Sequence, residues 1–174
     1  MQVDRYKSFE TERLIIRPTS LEDGEFIYEL LNSPKWIQFI GDRNIRSVED
    51  AENYISSKMH TQLKKLGFSN NTVIRKSDLK KIGTCGLYDR EGLDDVDIGF
   101  AFLPEFEKKG YAYEAANELK NAAREEFGLK EISAITLEEN KGSRNLLEKL
   151  GFEFQEKIMI PNDPNELMFY HLKF

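Results

Sequence analysis

Two stretches of this chain hold residues whose types and spacing could do chemistry. The first is Glu107-Lys-Lys-Gly-Tyr-Ala112. Gly110 and Tyr111 open a helix with apolar residues at Ala112, Ala115, Ala116, Leu119, Ala122, Ala123 and Phe127, and Gly128 supplies a stop. Spacings of three and four put those residues on one stripe. A glycine-bearing turn that feeds a helix leaves several N–H groups without an intrahelical partner. Such a cluster binds phosphate, helped by the positive end of the helix dipole. Gly110 lets the backbone come close to a ligand, and Ala112 keeps the first helical turn thin. Taken alone, the turn is either a phosphate cradle or a plain strand-to-helix connection. The second stretch is Asn140-Lys-Gly-Ser143. Its polar residues are three apart, so both can face one ligand at a helix start, while Asn140 also suits an N-cap.

The elements around them follow from periodicity. Val96, Ile98, Phe100 and Phe102 alternate with Asp97, Gly99 and Ala101, the period of two that a strand needs, and Pro104 should stop the ladder near Leu103. Gly99 and Ala101 leave room beside that strand. Earlier, Thr11 to Pro18 reads as a strand, Leu21 to Leu31 as a helix ended by Asn32-Ser-Pro34, and Trp36 to Ile40 as a short apolar piece. Ser47 begins a second helix that runs to Leu66, with Val48, Ala51, Tyr54 or Ile55, and Met59 inward and Gly67 closing it. Strands follow at Phe68 to Arg75 and Ile82 to Tyr88, and again at Lys130 to Leu137. A short helix over 141–150 carries Leu146, Leu147 and Leu150 on one face, and the chain closes on a hairpin around Pro161-Asn-Asp-Pro164. The order predicts a three-layer α/β arrangement around a mixed sheet.

Bulk properties exclude several classes. With 174 residues the chain suits one domain, 1–174, with a real core. A net charge of −6 argues against nucleic acid as a partner. No apolar run approaches the ~18 residues of a membrane span. The polar opening Met1 to Glu10 does not read as a signal peptide. A single cysteine, Cys85, excludes an internal disulfide and reads as a packed core residue. These features predict a cytoplasmic protein without a membrane partner. The two histidines, His60 and His171, are too few and too far apart to argue for zinc, so no metal is expected. The acidic turn Asp89 to Asp95 lacks a calcium-loop spacing and reads as a solvated hairpin turn.

Glu107-Lys-Lys-Gly-Tyr-Ala112 resembles the acyl-CoA loop of the GNAT N-acetyltransferase superfamily, Gln/Arg-x-x-Gly-x-Gly/Ala. Thr11-Glu-Arg-Leu, Ile-Gly-Phe, Leu-Pro-Glu-Phe and Gly-Tyr-Ala-x-Glu-Ala are similar to its RimJ/RimL-like branch, the ribosomal-protein N-terminal acetyltransferases and their relatives. Asn140-x-x-Ser143 leading to Glu-Lys-Leu-Gly-Phe152 resembles the second hallmark of the family. Two departures stand in the loop: Glu107 where Gln or Arg is usual, and Lys108 where the branch often has Gly.

The resemblance implies an α/β/α GNAT-like fold with a mixed, largely antiparallel central sheet. It implies acetyl-CoA as cosubstrate and an amine acceptor, either a protein N-terminus or a small molecule, in a monomer or homodimer. Cofactor contacts carry over to Phe102, Leu103, Lys108, Lys109, Gly110, Tyr111, Ala112, Asn140 and Ser143. Arg144 is a further candidate for the phosphates. Trp36, Phe39 and Tyr54 fall where the family walls its acceptor, or they are core. Asp97 stands where several members carry a catalytic Glu, and it is either that base, through a bridging water, or a solvated hairpin-end carboxylate. Glu138 and Glu139 are lesser candidates. Ser143 is the candidate acid. The implied reaction is direct attack of the amine in a ternary complex; the alternative is a non-catalytic acyl-CoA-binding or interaction domain that keeps the fold.

Overall fold

The computed structural model describes all 174 residues. Its strands are β1 (Phe9–Glu10), β2 (Leu14–Pro18), β3 (Asn70–Arg75), β4 (Lys80–Tyr88), β5 (Asp97–Phe102), β6 (Glu131–Thr136), β7 (Glu153–Ile158) and β8 (Leu167–Lys173). They form one sheet in the order β1-β2-β3-β4-β5-β6-β8-β7. All neighbours run antiparallel except β5 and β6. Those two pair in parallel at Asp97 and Ser133 alone, with the Ser133 N–H donating to the Val96 carbonyl at 2.9 Å. Beyond that point they splay, so the sheet opens in its middle. The mixed, mostly antiparallel sheet agrees with the fold class expected from the sequence.

The helices are α1 (Gly24–Leu31), α2 (Pro34–Phe39), α3 (Val48–Tyr54), α4 (Thr61–Leu66), α5 (Tyr111–Glu125) and α6 (Lys141–Lys149). A π-helical turn, Ile55–His60, joins α3 to α4, so the predicted helix is continuous from Val48 to Leu66. Ser47 caps it by accepting from the Asp50 N–H at 3.0 Å, and Gly67 ends it at a positive φ of 85°. Ala51, Ile55 and Met59 are buried as expected, whereas Val48 is exposed and Tyr54 only half-buried. The apolar piece around Trp36 is a helix. Pro34 stands at its first position, where a missing N–H costs nothing, so the same proline that ends α1 starts α2. The helix expected over 21–31 opens as a 3-10 turn, Leu21–Asp23.

The two faces of the sheet differ in chemistry. One carries buried apolar residues such as Ile16, Val73, Ile98 and Phe102, and α5 packs there across β2, β4 and β5. The other, under α1 and the 48–66 helix, carries a buried polar strip. Tyr88 Oη donates to Asn70 Oδ1 at 2.5 Å, and Asn70 Nδ2 donates to Thr19 Oγ1 at 2.8 Å. Thr19 and Thr72 hydroxyls lie 2.9 Å apart, and Thr72 Oγ1 donates to Asp23 Oδ2 at 2.9 Å. Asp23 is fully buried and takes Arg17 in a bidentate pair at 2.7 and 2.8 Å and Lys81 at 2.8 Å. Burial raises its pKa, but the hydrogen bonds from Arg17 and Lys81 outweigh it and hold the carboxyl down at about 2.

This strip yields a stability prediction. Asp23→Ala leaves Arg17, Lys81 and Thr72 without their shared acceptor, and should cost about 3 kcal/mol or more in a urea titration. The sign of the pH effect follows from the lowered pKa. The stabilisation is complete above the ordinary carboxylate value of 3.8 and is lost as pH falls towards 2. Stability in the variant should therefore fall less steeply across that window than in the parent protein.

Candidate active site

The splay between β5 and β6 opens into a cavity of about 360 Å³. Gly99 and Ala101 floor it from β5, Ala134 and Thr136 from β6, and Asn140 and Ser143 from the start of α6. The opposite wall comes from α2 and the 48–66 helix: Trp36, Phe39 and Tyr54 all line it. None of the three is fully buried. Trp36 and Tyr54 also pack against the hydrophobic core, so they serve the core and the cavity wall together. The π turn adds Lys58 and Met59 to the same wall. Glycines make room for Tyr88: a Cβ at Gly86 would lie 2.4 Å from its Oη, and one at Gly99 2.9 Å from its ring.

Asp97 sits at the root of the splay and lines the cavity. It is buried, not a solvated hairpin-end carboxylate. Arg90 approaches it with Nε at 3.1 Å from Oδ1 and Nη2 at 3.2 Å from Oδ2. Burial pushes the Asp97 carboxyl up, and the Arg90 guanidinium pulls against that without reversing it. A carboxylate so held is a stronger proton acceptor than one in water. Glu138, by contrast, pairs with Lys157 at 3.0 Å on the surface, and Glu139 is exposed.

The turn before α5 lies outside this cavity and opens to solvent. Lys108, Lys109 and Gly110 are exposed. No main-chain acceptor takes the N–H groups of residues 108–113, and Gly110, as N-cap, has no side chain to offer them. Gly110 is at a positive φ of 83°, the conformation only glycine adopts cheaply. Lys108 is also left-handed, at a φ of 59°, which explains why glycine suits that position. The Glu107 carboxylate is turned aside to the Lys35 ammonium on α2, so its charge is compensated.

Main-chain hydrogen bonding separates two expected contacts. The Leu103 N–H donates to the Ile82 carbonyl at 3.0 Å, so it is spent within the sheet and cannot meet a ligand. A main-chain contact at Leu103 would have to use its carbonyl, which accepts the Phe106 N–H at 3.0 Å and keeps a second lone pair. Antiparallel ladders alternate, so the N–H groups of Phe102 and Phe100 point the other way, into the splay. Both N–H groups are therefore unpaired within the sheet. At α6, Asn140 Oδ1 accepts the Ser143 N–H at 3.2 Å, so Asn140 is the N-cap, and its amide nitrogen is left over. Arg144, a further candidate for the phosphates, donates through Nη1 to the Glu138 carbonyl at 3.1 Å and through Nε to Tyr170 Oη at 3.3 Å. Cys85 is fully buried, and burial pushes its thiol up, which makes it a core residue.

Sequence reading missed a brace behind the turn. Glu114, in the first turn of α5, accepts from the Thr11 hydroxyl, from the Arg13 N–H at 3.0 Å and from Arg13 Nε at 2.7 Å. Arg13 also donates to the Lys109 carbonyl at 3.0 Å and lies over the Tyr111 ring at 4.3 Å. The Thr11-Glu-Arg-Leu14 stretch thus fixes the turn from the edge of the sheet. The signal for it is a motif more than a hundred positions from the acid it grips.

A cavity in a splayed sheet, a helix start with free N–H groups and a polar α6 cap form one arrangement, and residues 13–153 match the acetyltransferase (GNAT) domain family. The chain belongs to the GNAT acetyltransferases. It is 29% identical over 146 residues to the uncharacterized N-acetyltransferase YoaA of Bacillus subtilis, covering 83% of this chain and 81% of that one. A GNAT-family acetyltransferase structure from Bacillus anthracis superposes with a TM-score of 0.78 at 25% identity, covering 96% of this chain and 98% of that one. The ribosomal-protein-S5-alanine acetyltransferase of Vibrio fischeri shares the fold, with a TM-score of 0.79 at 19% identity over 96% of both chains. So does the microcin C7 self-immunity acetyltransferase MccE, solved with acetyl-CoA and AMP, with a TM-score of 0.79 at 16% identity over 94% of both. No helix is long and apolar enough to cross a membrane.

Proposed function

We propose that this protein transfers an acetyl group from acetyl-CoA to a primary amine by direct attack in a ternary complex. The observation that carries this reading is the pairing of an open N–H array at residues 108–113, on the helix that packs across β5, with a splay of β5 from β6 whose root holds Asp97. The array, with Lys108, Lys109, Gly110, Tyr111 and Ala112, would take the diphosphate. The N–H groups of Phe100 and Phe102 would meet the pantetheine arm and polarise the thioester carbonyl. Asn140 and Ser143 would flank the sulfur, with Ser143 as the proton donor to the departing thiolate. Asp97 would accept the proton of the amine, directly or through water. No metal enters the transfer.

Trp36, Phe39 and Tyr54 would hold the acceptor. An α-amino group with pKa ~7.7 costs ~1 kcal/mol to deprotonate at pH 7, against ~4.6 for a lysine at ~10.4. One carboxylate therefore suits an N-terminal acceptor, as in the RimJ/RimL-like branch. A small amine remains the second acceptor class. The buried free thiol of Cys85 suits a reducing compartment, and we place the protein in the cytoplasm. A non-catalytic acyl-CoA-binding role drew on Glu107 and Lys108; with Glu107 paired to Lys35, that ground is weaker.

The test is thiol release from acetyl-CoA against a panel of N-terminal peptides and small amines. Release that depends on one acceptor class is expected. Cofactor binding without release against any amine would favour the binding domain instead.

A further inference from the structure

On the sheet face that carries Asp97, two residues before it in the chain, a second cluster forms at the root of the splay. Asp95 comes from the turn between β4 and β5, Glu131 is the first residue of β6, and His171 lies in β8. His171 Nε2 is 3.8 Å from Asp95 Oδ2 and 3.5 Å from Glu131 Oε1, and one ligand atom from each lies within 4.8 Å of the others. All three side chains are partly exposed, so solvent reaches them. The two carboxylates crowd each other: burial and the nearby Glu131 charge both push the Asp95 carboxyl up. Ser133 stands on the same face, directly opposite His171 and two residues from Glu131. Its hydroxyl is fully buried and has no hydrogen-bond partner.

We propose that Asp95, Glu131 and His171 bind a divalent transition-metal ion, zinc foremost, which ties the β4–β5 turn to β6 and β8. One imidazole and two carboxylates make a donor set that suits zinc, and their two negative charges balance the ion. Bonds of about 2.0 to 2.2 Å to a tetrahedral ion set ligand atoms roughly 3.4 Å apart, so the side chains need move only by tenths of an ångström to an ångström. A fourth position is open to water. The ion has no part in the acetyl transfer; its place is mechanical, at the one point where β5 and β6 still pair. Sequence spacing hides the site, because its members lie tens of residues apart. The other histidine cannot compete: His60 is buried, with Nε2 2.8 Å from the Thr19 carbonyl oxygen.

Untagged full-length protein, stripped with a chelator, provides the test. Zinc titrated into it at pH 7 by calorimetry should bind one ion per chain at micromolar or tighter affinity and raise the melting temperature. His171→Asn and Asp95→Asn should each weaken that binding at least tenfold. Circular dichroism of each variant without metal reports whether it is folded, and Asp95→Asn, at a turn, serves if His171→Asn is not. Diffraction at the zinc edge from soaked crystals should put an anomalous peak between the three side chains. No binding by the parent protein, equal binding by a folded variant, or a peak elsewhere would each overturn the proposal. The cluster would then be a polar contact between the β4–β5 turn, β6 and β8 that holds no ion.

Discussion

Gly110→Asp is expected to abolish the stabilisation that acetyl-CoA confers, while the protein stays folded. Two features of the position favour folding. Asp tolerates a left-handed backbone better than most residues, and here φ is 83°. A Cβ at Gly110 would also stand 3.2 Å from Arg13 Nη2, so the new carboxylate gains a cationic neighbour. The same carboxylate lies at the helix start where the N–H groups of 108–113 would take the diphosphate, and its charge repels one. At a hundredfold excess over the dissociation constant, acetyl-CoA should stabilise the parent protein by about 2.7 kcal/mol. The variant should show no shift in melting temperature at millimolar cofactor. Gly110→Ala separates charge from strain. It costs stability through its positive φ but keeps most of the shift. A full shift in Gly110→Asp would place the phosphates somewhere else.

How far this site was legible in advance depends on how local its causes are. The turn at Gly110 could be read because its backbone demands glycine and its helix has a clean stripe. Asn140 and Ser143 could be read because a cap is a three-residue event. The α2 helix could not, since Pro34 signals a stop to the helix before it and a start to the one that follows. The π turn at Ile55–His60 leaves no mark in the residue pattern, yet it helps set which side chains of that helix reach the cavity. Leu103 and Phe102 looked equivalent because strand periodicity reports side chains. Which N–H is free depends on which edge is paired, and β5 is paired with β4 and open towards β6. The grip of Thr11 and Arg13 on Glu114 joins segments that no window contains, whereas Arg90 and Asp97 stand close in sequence and meet only because the turn between β4 and β5 folds one onto the other. The metal proposal has the same origin, since β8 brings His171 back beside the turn that precedes β5.

Asp97→Asn is expected to lower turnover by roughly a hundredfold or more, the scale of a general base, and the loss should depend on pH in a defined way. Asn matches Asp in shape and still accepts from Arg90 through one oxygen, so the cavity should survive. As a base Asp97 works only when ionised, and its pKa is raised by burial against the pull of Arg90. Parent activity should therefore fall as pH drops through that raised value. At the other end, an α-amino acceptor loses its own proton above ~7.7 and needs no base there. The gap between parent and variant should thus be widest between the Asp97 pKa and about pH 7.7, and should close above it. A lysine-like acceptor would keep the gap open to about pH 10.4 instead, so the upper limb of the profile also reports the acceptor class. Binding of acetyl-CoA, read by the melting temperature, should be unchanged in the variant. Equal rates at every pH would remove Asp97 from the chemistry. Its pairing with Arg90 would then be read as a strut at the root of the splay, and water as the only proton acceptor in reach.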